Sequence, residues 1–66
     1  MKILKLTHAN GKPVLIPLDH ISYVADSGMS YADGTHPKSL IHLVGNSYVV
    51  VMESTAVVGR KMRRLA

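Results

Sequence analysis

The chain has 66 residues, 47% of them hydrophobic, no cysteine, and a formal net charge of +4. That is a single domain of ordinary globular composition, so disorder, disulfide staples and cysteine-ligated zinc are excluded. Its apolar runs, such as Val14 to Leu18 and Val49 to Met52, are far shorter than the roughly 20 residues a membrane span needs.

The opening from Met1 to Leu6 has the charge of a signal-peptide start, but Lys5, Thr7, His8, Asn10 and Lys12 interrupt any apolar region, and no signal peptide is expected. Ile3 to His8 reads as a strand, with Leu4 and Leu6 on one face and Ile3, Lys5 and Thr7 on the other. Asn10-Gly11 follows, a pair suited to a type I′ turn, in which both central residues take positive φ. Val14 to Ile16 is the return strand. Pro13 and Pro17 bracket it and lack an N–H, which places it near an edge. Leu18-Asp19-His20 is a turn or one turn of helix.

Ile21 to Ala25 is the third strand, with Ile21, Tyr23 and Ala25 expected on one side and Ser22 and Val24 on the other. The stretch 26–37 is the longest irregular one and is rich in turn residues: Asp26-Ser27-Gly28, Asp33-Gly34 and Pro37. It is expected to be a mobile loop, with a lid or a partner-contacting finger as the functional alternative. Ser39 to Val44 and Tyr48 to Met52 are the fourth and fifth strands, joined by a tight turn at Gly45-Asn46. Both are apolar on both faces. A one-layer sheet with a single short helix cannot cover two apolar faces, so a second copy of the chain is the expected cover. Size argues the same way, because ordering so short a chain costs on the order of 100 kcal/mol against one small core.

Ser54 is placed to cap a helix over 55–65. Val58, Met62 and Leu65 form its apolar stripe, with Val57 beside it. Arg60, Lys61, Arg63 and Arg64 crowd its C-terminal turns, where positive charge complements the helix dipole.

The chain resembles the FlbD-like small proteins, the FlbD/SwrD type first named from flagellar operons. The resemblance rests on Ile3-Leu4-Lys5-Leu6-Thr7, then Asn10-Gly11-Lys12 before Val14 to Ile16, then Asp19-His20-Ile21, the hairpin ending Tyr48-Val49-Val50-Val51, and Glu53-Ser54 before Val57 and Val58. It covers nearly the whole chain except 27–37, which looks like an insertion. The helix is basic where the family's is commonly acidic or mixed. That departure and the insertion point to a phage or mobile-element relative with its own partner. The resemblance implies no catalytic residues and no cofactor.

The residues themselves carry little chemistry. His8, His20, His36 and His42 form no metal-binding spacing, although His8 and His42 would meet if neighbouring strands aligned them. There is no G-x-S-x-G, no P-loop and no G-x-G-x-x-G, so no enzyme is expected. Lys2, Lys5 and Lys12 on the first hairpin, together with the helix cations, make an anion-attracting patch if the two surfaces adjoin. Otherwise the arginines solvate and stabilise the helix. Tyr23, Tyr31 and Tyr48 are the only aromatics, which is poor material for a base-stacking surface.

The expected fold is therefore mainly β (α+β): about five antiparallel strands in a twisted sheet or partial barrel, with one short C-terminal helix and one domain over 1–66. The expected function is a non-catalytic, cytoplasmic, regulatory module that binds a protein partner, as a homo-oligomer, without cofactor or metal. The alternative is an anion binder engaging nucleic acid or a small nucleotide, through Arg60, Lys61, Arg63 and Arg64 or at a subunit interface.

Overall fold

Alternation of apolar residues sets the faces of the first hairpin. The computed structural model describes residues 2–66; Met1, where the charged opening begins, lies outside them. Strand β1 (Ile3–Thr7) buries Leu4 and Leu6 and exposes Ile3 and Lys5. Strand β2 (Pro13–Pro17) pairs with it antiparallel, Leu4 opposite Ile16 and Leu6 opposite Val14.

The connecting turn differs from the expected type I′. Gly11 takes positive φ (88°), whereas Asn10 does not. The Gly11 N–H donates to the His8 carbonyl at 2.9 Å, and the His8 N–H donates to the Lys12 carbonyl at 2.8 Å. This is a three-residue loop whose left-handed glycine forms a bulge. Asn10 contributes its side chain instead, its Oδ1 accepting the Lys12 N–H at 2.9 Å. Two consecutive positive φ values occur at the other turn, at Gly45 (89°) and Asn46 (68°).

A 3-10 turn at Leu18–His20 leads into strands β3 (Ile21–Asp26), β4 (Ser39–Leu43) and β5 (Tyr48–Val51), which form an antiparallel meander in the order β3-β4-β5. A bulge between Ile21 and Tyr23 corrects the expected facing of β3. It turns Ile21 toward the core together with Val24, while Tyr23 points the other way. The extra residue at a bulge reverses which face the preceding side chains occupy.

The strands thus make two sheets rather than one. They meet where His8 lies opposite Val51. Bonds from Ala9 N–H to the Val50 carbonyl (3.1 Å) and from Met52 N–H to the Thr7 carbonyl (2.8 Å) flank that point. The arrangement is open and does not close into a barrel.

Helix α1 (Thr55–Leu65) begins at Ser54, whose Oγ accepts the Val57 N–H at 3.3 Å. It packs across β1 and β3. Val58 joins Leu4, Leu6 and Ile16 from the hairpin and Ile41 and Val51 from the meander in one buried cluster, with Met62 and Leu65 against it. The chain's own hairpin and helix therefore cover one face of the meander together. The other face is only partly covered: Val50, opposite Leu40, is 8% exposed, whereas Tyr23 and Tyr48 are 52% and 53% exposed and Val44 at the strand end is 59% exposed.

Polar bonds lock these layers at the helix entry. The Glu53 carboxylate accepts the Thr7 N–H through both oxygens (2.9 and 3.0 Å), and the buried Ser39 hydroxyl donates to the Glu53 carbonyl at 2.6 Å. Residues 27–38 are also tied, by Ser27 N–H to the Lys38 carbonyl (3.2 Å), Tyr31 N–H to the Thr35 carbonyl (2.9 Å) and the Ser27 hydroxyl to the Pro37 carbonyl.

Candidate binding groove

The helix runs antiparallel to β1. Its entry lies beside Thr7, where Glu53 bonds, and its last turns lie beside Ile3 and Lys5. At 100° per residue, Lys61 and Arg64 fall on the flank of the Val58–Met62–Leu65 stripe that faces β1, whereas Arg60 and Arg63 fall outside it. The geometry agrees. An open groove of about 210 Å³ is lined by Ile3, Leu4 and Lys5 from β1 and by Lys61, Arg64 and Leu65 from the helix. Lys61 reaches across it, its Nζ donating to the Lys5 carbonyl at 3.2 Å. Arg63 folds back along the helix, Nε to the Gly59 carbonyl at 3.4 Å.

Of the four helix cations singled out in the sequence, two therefore enter the groove and two do not. Lys5 lines the groove from the hairpin, where its carbonyl accepts from Lys61. Lys12 lies at the far end, in the turn where its carbonyl accepts the His8 N–H. The result is an apolar floor of Ile3, Leu4 and Leu65 rimmed by Lys5, Lys61 and Arg64. Long basic side chains suit such a rim, because their stems lie on apolar surface while the charged ends stay in water.

Backbone direction adds a feature that residue types did not reveal. In an antiparallel pair, alternate residues bond across the pair and the others point away. Bonds from His8 N–H to the Lys12 carbonyl and from Leu18 N–H to the Lys2 carbonyl make the even residues of β1 the paired ones. The odd residues Ile3, Lys5 and Thr7 thus turn their N–H and C=O groups away from β2. Thr7 is filled by Glu53 and Met52, and the Lys5 carbonyl by Lys61. Among the described residues, Ile3 and the Lys5 N–H have no partner on that side.

A second surface was missed because its members are scattered in sequence. Tyr23, His42 and Tyr48 occupy opposite positions on β3, β4 and β5. The Tyr23 and His42 rings stack at 4.2 Å and 13°, and the Tyr48 ring lies 6.1 Å from His42, tilted by 34°. The signal was present in the register, since all three precede or follow a turn at matching distances. The register does not bring His8 and His42 opposite each other: His8 faces Val51, and His42 sits between the tyrosines.

No family model, curated protein or solved structure matches the chain.

Proposed function

We propose that the protein is a small non-catalytic interaction module that binds an anionic segment of a protein partner in the groove between β1 and α1. One observation carries this reading: Lys61 and Arg64 of the helix and Lys5 of β1 line one groove that also contains Ile3, Leu4 and Leu65. A cationic rim steers an acidic partner and sets its register, while the floor supplies the non-polar area. A volume of about 210 Å³ is below the range of roughly 300–1,000 Å³ typical of enclosed small-molecule sites. The resemblance to the FlbD-like proteins supports a non-catalytic role. Its Asn10-Gly11 turn and Glu53-Ser54 helix entry shape the fold and leave the groove residues to define the partner.

The nucleic-acid reading draws on the same cations. Its stacking aromatics, however, lie on the face of the meander opposite the helix, so phosphate and base contacts do not converge on one surface. That favours the protein segment.

The partly covered face supports self-association as a second component. Two half-exposed tyrosines offer roughly 200 Å² of ring surface, against about 800 Å² per partner in a standard interface. Self-association through this face is accordingly weak and concentration-dependent.

Amide NMR titration with an acidic peptide, single-stranded oligothymidine and a nucleoside triphosphate tests the proposal. Shifts at Ile3 to Lys5 and Lys61 to Leu65 with the peptide are expected. Groove shifts with the oligonucleotide alone, lost steeply between about 50 and 200 mM salt, would transfer the site to the nucleic-acid reading.

A further inference from the structure

We propose that the partner segment binds as an added β-strand on the outward edge of β1 at Ile3–Lys5, and that it alternates apolar and acidic residues. This rests on the groove being the binding site and specifies how it is used.

Among the described residues there are four outward strand edges; that of β5 is engaged by the hairpin, the Val50 carbonyl accepting the Ala9 N–H and the Met52 N–H donating to the Thr7 carbonyl, and two of the other three discourage pairing. On β2 the outward positions are Pro13, Leu15 and Pro17, so two of three carry no N–H. On β3 the outward positions include Val24 and Asp26, next to the bulge at Ser22. An acidic side chain and a bulge both oppose strand addition there, the first especially for an anionic partner. On β1 the Thr7 end is already filled, which leaves Ile3 N–H, Ile3 C=O and Lys5 N–H facing the groove. Three backbone groups match a short extended segment of three or four residues.

Lys61 makes the edge switchable. Its ammonium now occupies the Lys5 carbonyl at 3.2 Å. An incoming backbone N–H takes that carbonyl, and the released ammonium pairs with a carboxylate of the newcomer. One charged hydrogen bond is thereby exchanged for a backbone bond and an ion pair. Side chains on an added strand alternate between two faces. One set points to the Leu4 and Leu65 floor and is apolar. The other lies beside Lys5 on the exposed side of the hairpin and is acidic. The groove is open and of about 210 Å³, a size that suits the side chains of an extended segment.

The probe is an end-capped eight-residue peptide alternating valine and glutamate, with a valine–lysine peptide as control, titrated by NMR at low salt. Binding of the acidic peptide alone is expected, with hydrogen-exchange protection appearing at the Ile3 and Lys5 amides. N-methylation of alternate peptide bonds on one register should weaken binding on the order of tenfold or more, and on the other register much less. Arg64→Glu should weaken it on the order of tenfold, because Arg64 is an exposed rim charge. Lys61→Met should do likewise while retaining the helix packing of the stem. Leu15→Glu on the β2 edge should leave binding unchanged.

If the acidic peptide binds and Arg64→Glu weakens it, but the Ile3 and Lys5 amides gain no protection and N-methylation is neutral in both registers, strand addition is overturned while the groove remains the site. If neither peptide perturbs the groove, both readings fall.

Discussion

The two faces of the β3-β4-β5 meander come from equally apolar strands and meet opposite fates. On the inner face, Ile41, Val51 and Ser39 are fully buried beneath the hairpin and the helix. On the outer face, Tyr23, His42 and Tyr48 stack across the strands and remain in contact with solvent. The strands do not make the difference; what is laid over them does. Leu4, Leu6 and Ile16 on the hairpin and Val58 on the helix all point the same way, whereas among the described outer-face residues of the three strands Val50 alone is buried. An apolar strand pattern therefore states that both faces are suitable for cover, and only the remaining elements decide which one receives it.

The largest test of that contrast compares neighbours in β4. Ile41→Ala removes a fully buried side chain and should cost about 3 kcal/mol, within the usual range for such truncations. Leu40→Ala, one residue away on the half-covered outer face, should cost about 1 kcal/mol or less. Urea denaturation of both variants checks this. Equal losses at micromolar concentration would show that the outer face is also buried in solution, which requires a second copy.

Next in size is the polar lock of the inner layer. Glu53→Ala leaves the Thr7 N–H without its acceptor and should cost about 1–3 kcal/mol. Glu53→Gln retains an acceptor oxygen and should cost less. The outer row is worth less per residue. Tyr23→Ala or Tyr48→Ala should lower stability by up to about 1 kcal/mol through lost cross-strand pairing. If sedimentation of the wild type gives a mass above 7.2 kDa at high concentration, the same variants should return it to that value.

Element identity was legible because its signals are local. Leu4 and Leu6, the Pro13 and Pro17 brackets, Ser54 as cap and the Val58–Met62–Leu65 stripe are each read from a few adjacent residues, and the structure has β1, β2 and α1 where those residues place them. Facing and layering were less legible. The reversal at Ile21 depends on a single bulged residue, which alternation does not register. The division into two sheets depends on how the hairpin folds over the meander, a contact between residues more than forty positions apart, as in His8 with Val51. The groove was half legible. The basic helix was visible as a charge cluster, but which of its four cations would meet Lys5 required the helix phase and the direction in which α1 runs. The outward edge at Ile3 and Lys5 needed the hydrogen-bond parity of the hairpin, which the sequence does not encode residue by residue.

A stabilising change sharpens the comparison from the helix side. Gly59 sits in the interior of α1, where an added Cβ would meet only Arg63 Nη2 at 3.9 Å, an ordinary contact. Gly59→Ala should raise stability by about 0.5–1 kcal/mol by restricting the unfolded chain. The layer over the inner face would gain while the outer row stayed as it is, so a thermal melt should shift upward without any change in the tyrosine near-ultraviolet signal.

The smallest effect is expected farthest from the buried layer, in the segment after β3. The Asp33 carboxylate accepts the Thr35 N–H at 3.0 Å, and hydrogen bonding from Thr35 holds its pKa below the ordinary value of 3.8. A carboxyl group whose pKa is lower in the folded chain than in the unfolded one binds its proton less readily when folded. Its contribution is therefore complete above the ordinary value and disappears as pH falls through the lowered one. Because the side chain is fully exposed, solvent screens the interaction, and the consequence should be local. The Thr35 amide resonance should titrate with a midpoint below 3.8, and Asp33→Asn should abolish that titration. The Ile41 and Val51 resonances should stay unmoved over the same range. A simultaneous shift of the inner-face resonances would mean that this segment is coupled to the buried layer, and the division between a fixed inner face and an independent outer side would have to be redrawn.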